Sequence, residues 1–143
     1  MSNARDFANL SPGQVPWALV DMGGGASYIT LTQGDKIPFD SVVQSNGSHF
    51  DTTNNRFTCP VAGVYSITWS ILSLNNNDAY HVDVYKNTTT RIGRGYEVYR
   101  GNRGTLEYKF AANDFIEFYT DSISVYPDTA TQMYSWASFR LVG

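Results

Sequence analysis

The residues best suited to chemistry are two histidines, each followed two positions later by an aspartate. These pairs are His49 with Asp51 and His81 with Asp83. Residues two apart in a strand share a face, so each pair predicts a contact between imidazole and carboxylate. A metal site needs further ligands, and the chain has no HExxH or paired-cysteine spacing. A serine nucleophile needs a sharp elbow, and no G-x-S-x-G is present. The pattern therefore favours ordinary surface residues over an enzyme active site.

A second cluster combines basic residues with tyrosines. Six of the ten basic residues fall in one window. They are Lys86, Arg91, Arg94, Arg100, Arg103 and Lys109, interleaved with Tyr85, Tyr96 and Tyr99. Arginine and tyrosine are enriched at binding hot spots. One interpretation is a contact surface for a glycan or an acidic partner, formed by Arg91, Arg94, Tyr96, Tyr99, Arg100 and Arg103. The other is a solvated strand pair in which arginine stems cover tyrosine rings.

The remaining reactive groups predict no cofactor. Several aspartates stand in turn-like segments, and calcium takes six to eight oxygen ligands from such loops. Calcium is therefore left open, with no residue assigned. Cys59 is the only cysteine, so no internal disulfide forms, and its strand-like setting predicts a small buried side chain.

Composition limits the classes of function. The chain has 143 residues and a formal net charge of −3, which fits one domain with no general attraction to nucleic acid. No apolar run approaches the length of a membrane span, so we expect no membrane insertion. Aromatic residues make up 15% of the chain, more than one small core usually absorbs. Some should therefore be exposed or lie at an interface, unless the core itself is unusually aromatic.

The elements that must position these residues are β-strands. Short alternating segments recur between turns rich in Gly, Asn, Asp and Pro, whereas helical periodicity is weak throughout. The clearest strand runs from Val64 to Leu72 and places Tyr65, Ile67, Trp69 and Ile71 on one face. A long final strand is predicted over Gln132–Val142. The pattern is that of an all-β antiparallel sandwich or barrel.

Several motifs occur in an order typical of one family. They are Phe39-Asp40, Ser45-Asn46-Gly47, Phe57-Thr58-Cys59-Pro60-Val61-Ala62-Gly63-Val64-Tyr65, Val82-Asp83-Val84-Tyr85-Lys86-Asn87 and Trp136-Ala137-Ser138-Phe139-Arg140-Leu141. Over residues 15–143 the chain resembles the globular C1q-like domain of the C1q/TNF superfamily. The resemblance implies a ten-stranded antiparallel jelly roll that closes into a homotrimer. Two turns that usually carry glycine have Asn54-Asn55 and Asn113 here, and asparagine tolerates the same left-handed backbone.

The implied trimer needs an interface. We expect its residues to be a subset of Tyr65, Trp69, Tyr108, Phe118, Trp136 and Phe139, although for each one alone a place in the protomer's own core is the safer expectation. The closing strand of such trimers lies near the threefold axis. In this chain Ser138 replaces its glycine, and Arg140 replaces a normally apolar residue.

Residues 1–14 form a predicted lead-in to the head domain at 15–143. This segment has no signal-peptide pattern, and it contains Arg5, Phe7 and Leu10 as candidates for attachment to a virion. The resemblance favours a non-catalytic trimeric virion protein of a bacteriophage, such as a tail fibre, head fibre, knob or capsid decoration protein. It would contact capsid or tail proteins and a cell-surface glycan or receptor. The alternative is a secreted, lectin-like recognition protein of an invertebrate, located outside the cell.

Overall fold

A computed structural model of the chain describes residues 9–24, 28–73, 80–98, 101–120, 123–125 and 133–143. Within them a 3-10 turn at Pro12–Gln14 precedes thirteen strands. In chain order the strands are β1 (Trp17–Asp21), β2 (Ile29–Leu31), β3 (Asp35–Lys36), β4 (Ser41–Asn46), β5 (Phe50–Asp51), β6 (Arg56–Thr58), β7 (Gly63–Leu72), β8 (His81–Lys86), β9 (Thr90–Val98), β10 (Gly101–Phe110), β11 (Phe115–Thr120), β12 (Ile123–Val125) and β13 (Trp136–Leu141). No helix in the described residues is long and apolar enough to cross a membrane.

Ten of these strands form a sandwich of two antiparallel sheets. The first sheet has the order β4-β1-β13-β7-β10, and the second has the order β9-β8-β11-β6-β5. In the described residues the two sheets are joined where β10 pairs briefly with β9, through Gly101 with Val98 and Asn102 with Glu97. Of the three short strands, β3 pairs with β11, and β2 pairs with β12. The predicted ten-stranded jelly roll is confirmed.

Alternation along each strand determines which side chains enter the sandwich. In β7 every second residue is buried, so Tyr65, Ile67, Trp69 and Ile71 face inward, as the pattern predicts. The same alternation buries alternate residues of β1, β8 and β13. Because the side-chain period of a strand is two, the intervening residues form the outer faces of the sheets, where binding can take place.

The core between the sheets is largely aromatic. Phe57 of the second sheet stacks on Phe139 of the first, with ring centroids 4.9 Å apart and planes 6° apart. Phe118 meets Phe139 and Trp69 edge to face at 6.0 Å and 5.6 Å. Edge-to-face and offset pairs are favoured by the ring quadrupoles. Much of the chain's aromatic content is therefore absorbed by the protomer's own interior.

One polar side chain is fully buried where the two sheets meet. Asn102 is 0% exposed, and its Oδ1 accepts a hydrogen bond from the Trp69 Nε1 at 2.9 Å. Its backbone N–H donates to the Tyr80 hydroxyl, which in turn donates to the Ile71 carbonyl. Gly104 leaves room for the indole, because a Cβ there would lie 2.2 Å from the Trp69 ring. The sequence pattern did not predict this network.

The turns follow the predicted backbone chemistry. Asn55 and Asn113 have φ values of 51° and 69°, the left-handed geometry that glycine usually provides. The final strand is shorter than the predicted Gln132–Val142 and begins at Trp136. Ser135 instead closes the sheet end, since its carbonyl accepts from the Met22 N–H and its hydroxyl from the Leu72 N–H.

Candidate functional site

The outer face of the second sheet carries a hollow of about 340 Å³ that contains part of the basic cluster. We call it the tyrosine–arginine pocket. Its lining residues are Gln33, Gly34, Asp83, Tyr85, Thr88, Arg91, Arg94, Tyr119 and Thr120. Its volume lies near the lower end of the roughly 300–1,000 Å³ that small-molecule sites occupy.

A β-bulge brings the two arginines of this pocket together. In a regular strand, residues 91 and 94 are three apart and would point to opposite faces. The register of β8 against β9 shifts between Val84 and Tyr85, so that Val84 lies opposite Gly93 whereas Tyr85 lies opposite Arg91. Ile92 is the extra residue of the bulge, and its insertion turns Arg91 to the same face of the sheet as Arg94. Both arginines therefore lie beside Asp83.

Asp83 organises the charges of the pocket. Both of its carboxylate oxygens accept from Arg94, Oδ1 from Nε at 2.6 Å and Oδ2 from Nη2 at 2.7 Å. This parallel, two-point geometry is the strongest form of arginine–carboxylate pairing. Arg91 is 3.6 Å from Asp83 Oδ2, close enough for ionic attraction but too far for a hydrogen bond. The Arg91 side chain is 49% exposed and faces the hollow.

Two tyrosines form the aromatic wall of the pocket. The rings of Tyr85 and Tyr119 meet edge to face with centroids 5.2 Å apart. Their strands are neighbours, and Lys36 lies 5.8 Å above the Tyr119 ring. Burial and the negative charge of Glu117 raise the pKa of Tyr119, so its hydroxyl keeps its proton at neutral pH.

A buried carboxylate supports this wall from below. Glu117 is 1% exposed although it lies on the outer side of β11. Lys36 Nζ is 2.5 Å from its Oε1, and Thr88 Oγ1 and the Tyr119 hydroxyl donate to its Oε2 at 2.9 Å and 3.3 Å. The alternation of β11 predicts an exposed residue here. The side chains above it cover it, so the burial of Glu117 was missed.

The structure separates the residues of the predicted contact surface. Arg91 and Arg94 meet in the tyrosine–arginine pocket, whereas Arg103 points from the outer face of the first sheet and lines a different hollow. The side chain of Tyr96, together with Tyr99 and Arg100, lies outside the described residues. Sequence reasoning placed Tyr85 among the basic residues of the window, but it did not include Tyr85, Asp83 or Tyr119 in the predicted contact surface. For Asp83 and Tyr85, the shared strand face was an available signal.

The predicted histidine–aspartate contacts are replaced by other pairings. Asp83 binds the two arginines, as described above. Asp51 accepts from the backbone N–H groups of Thr53 and Asn54 and stabilises its own turn. The His49 ring packs edge to face on Phe57 at 6.2 Å, and burial lowers the pKa of this histidine. The contacts of Asp51, Asp83 and His49 therefore stabilise a turn, the pocket and the core.

The outer face of the first sheet differs in character. A hollow of about 460 Å³ is lined by Val15, Trp17, Leu19, Ser138 and Arg140. A second, of about 620 Å³, includes Trp136 among its lining residues. Trp17 lies opposite Arg140 and Leu19 opposite Ser138 across β1 and β13, so these residues share one face. The face combines half-buried apolar side chains with an exposed arginine.

The six residues proposed for a trimer interface occupy two environments. Tyr65, Trp69, Phe118 and Phe139 are at most 3% exposed and belong to the protomer's own core, which leaves them no surface for a partner. Tyr108 is 36% exposed, and Trp136 is half-buried on the outer face of the first sheet. Only these two retain surface for a partner.

One of the three residues predicted to attach the head lies in the described part of the chain. Leu10 packs against the core, whereas Arg5 and Phe7 lie outside the described residues. Within the described part of the chain, no group of three or more His, Cys, Asp or Glu residues could hold a metal ion. Calcium therefore stays a prediction without assigned ligands.

The predicted burial of the cysteine can be compared with the structure. Cys59 is buried and unpaired, and burial raises the pKa of its thiol well above the usual value.

Three solved structures share this architecture. Eiger TNF from S. frugiperda aligns with a TM-score of 0.74 at 8% identity and covers 91% of this chain and 94% of its own. Murine APRIL aligns at 0.68 and 8% identity, with 90% and 99% covered. The globular domain of zebrafish complement 1qA aligns at 0.63 and 14% identity, with 90% and 98% covered. At these identities the likeness concerns the fold alone.

The sequence comparisons give the family. The chain is 34% identical over 87 residues to the uncharacterized protein YqcC of Bacillus subtilis (strain 168), a match that covers 59% of this chain and 22% of that protein. The aligned part is thus a small share of the relative's length. The model of the C1q domain matches residues 25–110, more than half of the 143 residues. On this match, and with the sandwich described above, the chain belongs to the C1q domain family.

Proposed function

We propose that this chain is a non-catalytic recognition head that assembles as a homotrimer and is carried on a bacteriophage virion. The outer face of the first sheet supports the proposed trimer. Trp17, Leu19 and Trp136 are half-buried there, around hollows that the protomer does not fill. A face of this kind is typical of a surface that another subunit covers.

The exposed arginine on this face restricts how three subunits can meet. Arg140 is the exposed residue of β13, and Ser138 beside it is small. Three copies of Arg140 would repel one another at an axis, so each guanidinium must pair with an acceptor of a neighbour or stay in water. The apolar area around Trp17 and Leu19 then provides the main stabilisation, at about 25 cal/mol per Å² buried.

The trimer explains how such a head would act. Three protomers present three copies of each outer surface, so weak individual contacts to a cell surface add through effective concentration. The lead-in at residues 1–14 would connect the head to a capsid or tail protein. A receptor-binding fibre and a capsid decoration protein both use this arrangement.

The virion part rests on a bacterial relative and on the sequence pattern. The matched portion of the Bacillus subtilis protein is a fraction of a longer chain, which suits a head joined to other segments. The order of motifs in the sequence, with its many Asn, Thr and Ser turns, resembles that of C1q-like modules at the ends of phage fibres. The secreted invertebrate protein remains the second candidate, since structures from animals share the fold.

The assembly is tested by light scattering on the purified protein and two variants. Leu19→Glu places a charge in the outer face of the first sheet. Thr58→Glu places the same charge at a half-buried position on the outer face of the second sheet. We expect the wild type and T58E to have three times the mass of the 15.9 kDa chain, and L19E to be a folded monomer. A wild-type monomer, or an L19E trimer, would overturn the proposed interface.

The location is tested on particles. Mass spectrometry of phage purified by density gradient from a lysate of the producing host should find the chain in a fixed ratio to the major capsid protein. Detection only in the soluble fraction, or after cleavage of an upstream signal in secreted material, would instead support the second candidate.

A further inference from the structure

The geometry points to the tyrosine–arginine pocket as a binding site for one acidic sugar unit, a pyranose that carries a single carboxylate. This inference rests on the proposed function, because it names the ligand class that the recognition head takes. It concerns the second sheet and leaves the first sheet for assembly.

The charge of the pocket selects an anion. Two arginines face one aspartate, so the lining carries one net positive charge. Asp83 is satisfied by the two-point contact from Arg94, whereas Arg91 is held 3.6 Å away and makes no hydrogen bond to it. The planar guanidinium of Arg91 therefore keeps its donors for a ligand, and their geometry matches a carboxylate.

The charges around the pocket do not cancel this preference. Among the described residues, Glu117 is buried under Lys36, Thr88 and Tyr119, and Asp35, which follows Gly34, accepts from the Thr32 N–H and hydroxyl. The charge of Glu117 is matched by Lys36. A ligand that enters the pocket therefore contacts the exposed guanidinium of Arg91, which ionic attraction holds near Asp83.

The rest of the lining suits a sugar ring. Tyr85 and Tyr119 provide an aromatic wall against which the C–H face of a pyranose can pack. In the part of the chain that the structure describes, neither the Gln33 amide nor the Tyr85 hydroxyl has a hydrogen-bond partner. Both line the hollow and can bind ring hydroxyls. A volume of about 340 Å³ fits one residue of a glycan and leaves the neighbouring residues in solvent.

This combination discriminates between anions. Inorganic phosphate would use the arginine but none of the aromatic wall, and a neutral sugar would use the wall but leave the guanidinium without a carboxylate. Two classes of natural sugar have the required structure: the uronic acids of bacterial or plant polysaccharides, and the sialic acids of animal glycans. Both carry one carboxylate on a pyranose.

The test uses the full chain and defined small probes. Methyl glucuronide, N-acetylneuraminic acid, methyl glucoside and inorganic phosphate are titrated separately, with binding measured by saturation-transfer NMR and calorimetry. We expect one or both acidic sugars to bind with a Kd near 1 mM, about −4 kcal/mol for a single site. Methyl glucoside and phosphate should bind at least about tenfold more weakly. The preferred acidic sugar identifies the source.

Three variants locate the site. Arg91→Gln should weaken acidic-sugar binding at least about tenfold because the charge-assisted contact is lost. Tyr85→Leu should weaken it by removing the aromatic wall. Lys109→Gln removes the same charge as Arg91→Gln from an exposed position on the first sheet, and its affinity should stay within about twofold of the wild type.

The outcomes separate this inference from the proposed function. If the protein is a trimer and no acidic sugar binds, the inference fails while the assembly stands. Equal binding of methyl glucoside, equal binding of phosphate, or equal losses in R91Q and K109Q would also overturn it. A monomer that binds an acidic sugar through Arg91 supports the site and overturns the trimer instead.

Discussion

Replacing Asn102 with alanine removes the acceptor of the hydrogen bond that joins β10 to β7 inside the sandwich. The Trp69 Nε1–H then points at a fully buried site without a partner, since both side chains lie in the core. The backbone N–H of Asn102 still donates to the Tyr80 hydroxyl, so the rest of the network is preserved. The substitution therefore removes the side-chain amide and leaves the backbone hydrogen bond in place.

The expected loss of stability follows from two opposing contributions. A buried donor left unsatisfied costs about 1–3 kcal/mol. Among the described residues the Asn102 Nδ2 has no hydrogen-bond partner, so its removal offsets part of that loss. A net loss of about 1–1.5 kcal/mol in the free energy of unfolding is expected. In a chain of 143 residues this lowers the Tm by roughly 3–5 °C.

A double-mutant cycle tests the assignment. The variants Asn102→Ala, Trp69→Phe and their combination are unfolded in urea and followed by far-UV circular dichroism. All are measured at one protein concentration, because assembly contributes to apparent stability. We expect a coupling energy of about 1–2 kcal/mol between the two positions. If N102A changes stability by less than about 0.5 kcal/mol, or if the coupling is near zero, the hydrogen bond does not stabilise the sheet junction.

Three further predictions concern other parts of the fold. Glu117→Gln should lower the free energy of unfolding, measured in urea, by about 1–2 kcal/mol. This is less than for a fully buried ion pair, because the Lys36 side chain is 32% exposed. Unchanged stability would contradict the pairing of Lys36 with Glu117. Burial lowers the pKa of His49 from 6.5, so its contribution to stability is complete above pH 6.5 and is lost as pH falls. His49→Gln should therefore lose less stability between pH 7 and pH 5 in thermal melts, and an equal loss would refute the burial argument. Gly104→Ala should lower the Tm by several degrees because the new Cβ would lie 2.2 Å from the Trp69 ring. As a control, Gly13→Ala places a Cβ with nothing within 4 Å and should have little effect. Equal changes in Tm would show that the close contact between Gly104 and Trp69 does not determine stability.

Much of the fold could be predicted from local patterns. The alternation from Val64 to Leu72 places four large side chains on one face, and that face is buried because a strand has a period of two. Asn55 and Asn113 could be recognised as turn residues because asparagine tolerates positive φ, and both adopt it. The motif order was enough to identify the family.

The candidate pocket depended on contacts that no local pattern contains. A strict alternation places Arg91 and Arg94 on opposite faces, and the bulge at Ile92 reverses that expectation. Arg103 belongs to the same basic window but lies on the other sheet. Closeness in sequence therefore grouped residues that the sandwich separates.

The sequence by itself determined the class of fold and the inward faces of the main strands, because these depend on periodicity and turn chemistry within short segments, and its ordered motifs indicated the family by resemblance. Only the tertiary structure decided which aromatic residues fill the protomer's own core, that Glu117 and Asn102 are buried, and which arginines meet Asp83. The physical reason is that burial and charge pairing depend on strands far apart in the chain, whose register and bulges are set by the packing of the two sheets as a whole.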